Sequence, residues 1–222
     1  MADTTVEAKP ADESPGDKDS FKIHILEQAL VSCSEKGLHI DEYITAYEEL
    51  CIFFNLLGSV FGFITSDVKE KIEILRKFRN GHNERDKYER VERMMEHEIE
   101  VNKKTDEVLL GSRTLLRLHR ALSFTMLFME NLSESSNCEK ASSIASSAYT
   151  RSLAKYHPWL IRKAATLAMY TLPSRGDMLI LVANSTGEEK VQKMLKSCVE
   201  AIRRVYDAVE ALYTKYDLHG LP

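Results

Sequence analysis

The segment from Arg113 to Leu132 constrains this chain more than any other. Leu115, Leu116, Leu118, Leu122, Phe124, Met126, Leu127, Phe128 and Leu132 recur within it so that, at helical period, they cover most of the wheel. A helix apolar on nearly every side is stable only when other elements surround it. The rest of the chain must therefore provide a shell, and its patterning is helical from Phe21 onward. Phe21, Ile25, Leu26, Ala29 and Leu30 share one face, and Tyr43, Tyr47, Leu50, Phe53, Phe54 and Leu57 share another. The stretch from Asp67 to Phe78 is amphipathic. Residues 84–104 predict a charged helix with Tyr88, Val91, Met95 and Ile99 as a thin apolar stripe.

Further helices are expected over residues 141–155, after Pro158, and from a capping box at Thr186-Gly-Glu-Glu189 to about Tyr216. Gly37 should end the first helix and Asp41 should cap the second. Gly58 and Gly62 predict a bend, Gly81 a break, and Pro173 the end of the helix that Pro158 starts. A Ser-rich loop (Ser133, Ser135, Ser136) should precede residue 141. No stretch alternates like a strand, and no solenoid-type repeat is present. The prediction is an all-α domain of about eight helices over residues 20–222, behind a disordered acidic tail at residues 1–19.

Charge narrows the partners. The net charge of −4 sits entirely in the first twenty residues, where Asp3, Glu7, Asp12, Glu13, Asp17 and Asp19 outnumber Lys9 and Lys18. The remainder is formally neutral, which disfavours nucleic acid as a partner. Any bound anion needs a local cluster of cations. Cys33, Cys51, Cys138 and Cys198 lie far apart with no zinc spacing, so no metal or other cofactor is expected. They fit a reduced, intracellular protein. The sequence carries no secretory signal pattern, and its longest apolar stretch, Ala121–Met129, is too short to span a bilayer.

Enzyme motifs are scarce. His97-Glu-Ile-Glu100 lacks the second histidine of a zinc-protease helix, and no phosphate-binding glycine loop, nucleophile elbow or EF-hand loop is present. Asp67 and His157 have the right chemistry for an acid–base pair, but no nucleophile accompanies them. The chain is therefore expected not to be an enzyme.

Three sets of residues carry other chemistry. Arg113 and Arg117 lie four apart on the apolar helix, with Arg120 three further on. They require a negative partner, which is either the acidic groups of a neighbouring helix or an anionic ligand such as a phosphate. Asp67 and Lys71 are also four apart, behind the apolar run Leu56–Ile64. They make either a surface ion pair or the mouth of an apolar cavity. In Tyr156-His157-Pro158-Trp159 the proline holds the histidine out of the α region. That leaves His157 either at a helix start or aimed into a pocket, with Trp159 in the core.

Several blocks together resemble the glycolipid transfer protein superfamily. They are Tyr43-Ile-Thr-Ala-Tyr47, the run from Phe54 to Val68 that contains Asp67, and Arg113-Thr-Leu-Leu-Arg-Leu-His-Arg-Ala-Leu122. To these are added Ser152 to Ala164 with His157-Pro-Trp, Thr171-Leu-Pro-Ser-Arg175, and Leu221-Pro222. The resemblance spans residues 20–222 in collinear order. It implies a two-layer helical sandwich around an apolar slot for lipid chains. It also implies that Asp67 accepts from a sphingolipid amide N–H and that His157 meets the amide carbonyl. Glycolipid-carrying members have Asn and Lys four and seven residues after the Asp, and a Trp platform on the central helix. Here those places hold Lys71, Ile74 and Arg117.

The match is with the ceramide-1-phosphate branch, in which Lys71, Arg113 and Arg117 would grip the phosphate. Phe53, Phe54, Phe61, Phe63, Leu118, Leu122 and Phe128 are material for the slot. The resemblance further implies a monomeric cytosolic carrier of ceramide-1-phosphate. It would touch anionic Golgi, plasma and other intracellular membranes transiently, with Arg76 and Arg79 as candidate contacts. Glycosylceramide transfer and a sphingolipid sensor or adaptor are the alternatives.

Overall fold

The structure is a computed structural model that describes residues 20–81, 85–136, 138–183 and 187–222. The expected tail, residues 1–19, and Thr186 of the expected capping box lie outside the described residues. Among the described residues the chain forms nine α-helices and no strand. They are α1 (Ile23–Glu35), α2 (Ile40–Leu56), α3 (Gly62–Asn80), α4 (Val91–Thr105), α5 (Leu110–Glu134), α6 (Ala141–Arg151), α7 (Trp159–Tyr170), α8 (Arg175–Ala183) and α9 (Glu188–Lys215). Short 3-10 turns occupy Ser59–Phe61 and Ala154–Tyr156. The helices stack as a two-layer sandwich.

α5 is the element the sequence singles out, and it is central. It packs against α3, α4, α6 and α9. Leu115, Leu122, Met129 and Leu132 on it have no exposed surface. Its start is fixed by a carboxylate from another helix. Glu98 of α4 accepts from the main-chain N–H groups of Gly111 (2.6 Å) and Ser112 (2.8 Å) and from the Ser112 hydroxyl (2.7 Å). Those N–H groups have no partner inside the helix, and the helix dipole favours a negative charge there. The buried carboxylate is thereby satisfied. Glycine at position 111 permits this approach: a Cβ would lie 2.7 Å from Met94 Sδ and 2.9 Å from Glu98 Oε1, and those side chains would have to shift. Two buried phenols tie the other helices in. Tyr213 of α9 donates to the Ser112 carbonyl at 2.7 Å, and Tyr47 of α2 donates to the Leu118 carbonyl.

Several boundaries depart from the expectations. Asp41 does not cap α2, because the Arg79 guanidinium draws its carboxylate away, with Nε at 2.8 Å and Nη2 at 2.6 Å. The helix expected over residues 84–104 starts only at Val91. Before it, Val91 N–H donates to the Leu38 carbonyl and Ile40 N–H to the Glu89 carbonyl, which holds this stretch extended against the start of α2. Ser133 lies inside α5 rather than in a loop. The helix expected to reach residue 155 ends at Arg151, where the Ser152 hydroxyl bonds back to the Ala148 carbonyl at 2.7 Å. α7 ends at Tyr170, short of Pro173. Gly58, at φ +114°, makes the expected bend between α2 and α3.

The Glu98–Gly111 joint yields the first prediction. Glu98→Ala takes this acceptor from the three donors of α5 and from the Tyr88 hydroxyl, 3.4 Å from Oε1, and should cost about 3 kcal/mol of unfolding free energy. Gly111→Ala should cost roughly 1–3 kcal/mol through overpacking. Urea unfolding of the two variants measures both values, and a change below the error of the fit would refute the role of the joint.

Candidate functional site

α5 exposes one edge. Arg113 and Arg120 are partly exposed on it, and Arg117 between them is exposed. These positions are four and three residues apart, so they form one stripe. Arg113 makes no side-chain hydrogen bond or ion pair with any described residue. Arg117 meets a main-chain oxygen of Pro222, at 3.2 Å from Nη2. Neither arginine pairs with an Asp or Glu side chain among the described residues, so the salt bridges to a neighbouring helix are not formed. Arg120 donates through Nη2 to the His219 carbonyl at 2.9 Å and stacks over the Tyr156 ring at 4.1 Å.

Asp67 and Lys71 lie on α3, which packs against α5. Lys71 Nζ is 2.5 Å from Asp67 Oδ1 and 3.4 Å from the Asp67 carbonyl. The lysine side chain is 11% exposed and the aspartate 63%. A buried ammonium therefore leans on an exposed carboxylate, the reverse of an ordinary surface pair. An ammonium has three donors, so one N–H remains beyond these two contacts.

His157 stands where the sequence expects it, extended at φ −103° and ψ 135° before Pro158. Its Nδ1 is 2.9 Å from the hydroxyl of Tyr149 on α6. Burial pushes the imidazole below its ordinary range, while the carboxylate of Asp67 pulls it the other way. That opposing pull places Asp67 and His157 within electrostatic reach of each other. Burial also raises the Tyr149 phenol, so its proton stays on at neutral pH. Tyr149 has no signature in the sequence, because the fold-back through the 154–156 turn that brings it to His157 has no residue pattern of its own.

Of the seven apolar candidates for the slot, Phe53, Phe54, Phe61, Leu118, Leu122 and Phe128 are buried, whereas Phe63 is half exposed. Phe53 and Phe128 pack with their rings tilted, 6.5 Å between centroids. Trp159 is not in the core, as it is 63% exposed. α7, which it begins, buries only Ala168 and Met169 and leaves Leu160, Leu167 and Tyr170 in solvent. The two candidate membrane cations are engaged elsewhere. Arg79 is buried in its ion pair with Asp41, and Arg76 pairs with Glu48 and with Glu73 at 2.7 Å. Among the described residues no helix is long and apolar enough to cross a membrane.

The chain is similar to known proteins over nearly its whole length. The family model for glycolipid transfer protein matches residues 38–184. The zebrafish ceramide-1-phosphate transfer protein is 40% identical over 211 residues, which cover 92% of this chain and 99% of that one. The crystal structure of the human ceramide-1-phosphate transfer protein in complex with 12:0 ceramide-1-phosphate aligns with a TM-score of 0.84 at 34% identity. It covers 91% of this chain and 100% of that one. The apo form of the mouse ceramide-1-phosphate transfer protein aligns with a TM-score of 0.85 at the same identity and coverage.

The second prediction concerns His157 and the buried His119, whose imidazole burial also lowers while Glu210 opposes. Both folded values lie below that of the unfolded chain, about 6.5. Each group's contribution is intact above that pH and is lost as pH falls from there through the lowered folded value. An NMR titration should give His157 a midpoint below the ordinary value, and Asp67→Asn should move it lower still. An upward move in that variant would contradict the pairing.

Proposed function

The chain belongs to the glycolipid transfer protein family, and we propose that it carries ceramide-1-phosphate between membranes. One observation carries the choice of cargo: Arg113 and Arg117 stand on the exposed edge of an otherwise buried apolar helix with no Asp or Glu side chain paired to them among the described residues. With Lys71, they set three cations against the single carboxylate of Asp67. A phosphomonoester brings about −1.5 to −2 charges at neutral pH, which is close to the surplus. A sugar would ask for an aromatic platform on the central helix, and that place holds Arg117.

In this reading Lys71, Arg113 and Arg117 hold the phosphate through charge-assisted hydrogen bonds. Asp67 accepts from the amide N–H. His157 serves the amide carbonyl: with the Tyr149 hydroxyl donating to Nδ1, the ring proton sits on Nε2 as a donor. A glycerolipid has no amide, so it would leave both groups without their partner. No bond is made or broken, and no cofactor is needed.

The chains set the energy scale. At ~0.8 kcal/mol per buried CH₂, two chains of about thirty carbons cost ~20 kcal/mol to expose to water. Transfer is feasible only if the protein buries them as well as the bilayer does. α7 supports such a route. It is the helix least committed to the core, with Trp159, Leu160, Leu167 and Tyr170 exposed beside Arg162 and Lys163. Aromatic rings favour the membrane interface, and cations favour anionic lipid. We assign α7, rather than Arg76 and Arg79, as the face that meets the membrane.

Vesicle-to-vesicle transfer of ceramide-1-phosphate tests the reading. Arg113→Leu and Arg117→Leu should each slow transfer at least about tenfold, the worth of a lost charged hydrogen-bond pair, while thermal unfolding stays close to that of the unaltered chain. Trp159→Ala should weaken co-sedimentation with anionic vesicles. Transfer at the original rate in both arginine variants would overturn the assignment of the phosphate.

A further inference from the structure

Residues 218–222 run back across the same edge of α5 that carries the arginines. Arg117 donates to the Pro222 oxygen and Arg120, one turn on, to the His219 carbonyl. His219 Nε2 is 3.1 Å from the Thr214 hydroxyl and 3.7 Å from Glu210 Oε1. Leu218 is buried, and its N–H donates to the Tyr213 carbonyl at 3.0 Å. Leu221 N–H donates to the Leu218 carbonyl at 3.3 Å, and its side chain packs partly against the core. The segment is therefore a strap fixed to α5 and α9. Through Arg120, which also stacks on Tyr156, it is linked to the turn just before His157.

We propose that this strap is a specificity-determining wall of the head-group site, admitting a terminal phosphate and excluding a phosphate that bears a further substituent. The inference rests on the ceramide-1-phosphate reading and refines it. A guanidinium presents its N–H donors as a rigid planar fork. Part of the Arg117 fork is spent on Pro222, so a ligand oxygen is limited to the donors that remain. A phosphate held by Arg117 then lies about one hydrogen-bond length from the guanidinium and beside the strap. A choline or ethanolamine group esterified to that phosphate would have to occupy the space residues 219–222 fill. Charge adds a second, separate preference, because a diester carries less negative charge than a monoester. Selectivity against an unwanted ligand commonly combines attraction to the right one with obstruction of the wrong one. Here the arginines attract and the strap obstructs.

The two contributions separate in one experiment. Binding of ceramide-1-phosphate and of ceramide phosphoethanolamine with the same chains is measured for the full chain, for a chain lacking Leu221 and Pro222, and for Arg120→Gln. Arg120→Gln removes the tether to the His219 carbonyl without altering Arg117. The full chain should prefer the monoester. In both variants the ratio should fall at least about fivefold, chiefly because the diester binds better once the obstruction is gone. General loosening of the site would weaken both lipids alike and leave the ratio unchanged, and that result overturns the proposal. If the shortened chain does not fold, Arg120→Gln alone decides by the same criterion. Equal binding of both lipids by the full chain overturns the wall while leaving ceramide-1-phosphate as cargo. Binding of neither lipid overturns the cargo and the wall together.

Discussion

A guanidinium beside apolar surface must find water, a main-chain oxygen or an anion, and α5 leaves Arg113 and Arg117 without an Asp or Glu side chain among the described residues. α5 is enclosed by four other helices and pinned at its start by Glu98, so it cannot rotate to hide or share its charged edge. The neighbouring acids are committed elsewhere: Asp67 to Lys71, Asp41 to Arg79, Glu210 to His119. The arginines are thus held in place by packing and left without counter-charge by design of the surrounding pairs. A preorganised cationic edge of this kind would need little rearrangement to receive the phosphate proposed for it, so little binding energy would be diverted into ordering the site.

The fold was largely legible because a single segment dictates it. Residues 113–132 read as a helix that must be surrounded, and α5 is surrounded. Boundaries were less legible, for reasons that are tertiary. Asp41 has the chemistry of a cap, but a bidentate guanidinium from residue 79 outcompetes the two N–H groups it would have capped. Residues 85–90 have helical spacing, but at the end of that stretch the Glu89 carbonyl and the Val91 N–H are pledged to Ile40 and Leu38. Neither competitor is near in sequence.

The site divides in the same way. Asp67, Lys71, Arg113, Arg117 and His157 were legible as types at helical spacing and as positions in a family pattern. Tyr149 and the strap were not, since a phenol in a serine-rich helix and a short closing segment have no pattern that announces a partner. Arg76 and Arg79 show the opposite error. As sequence they are two free cations at the end of an amphipathic helix, and only the placement of Glu48 and Asp41 reveals that both are neutralised. Counting cations along a chain overstates the field they produce when their counter-charges come from distant segments.

The chain has one tryptophan, and that residue begins the helix with the fewest buried side chains. An indole moved from water into a lipid interface changes its emission, and no second indole is present to dilute the signal. The molecule therefore carries a built-in optical gauge at the surface assigned to membrane contact. Its arrival at a bilayer and its departure can be timed in an unlabelled sample.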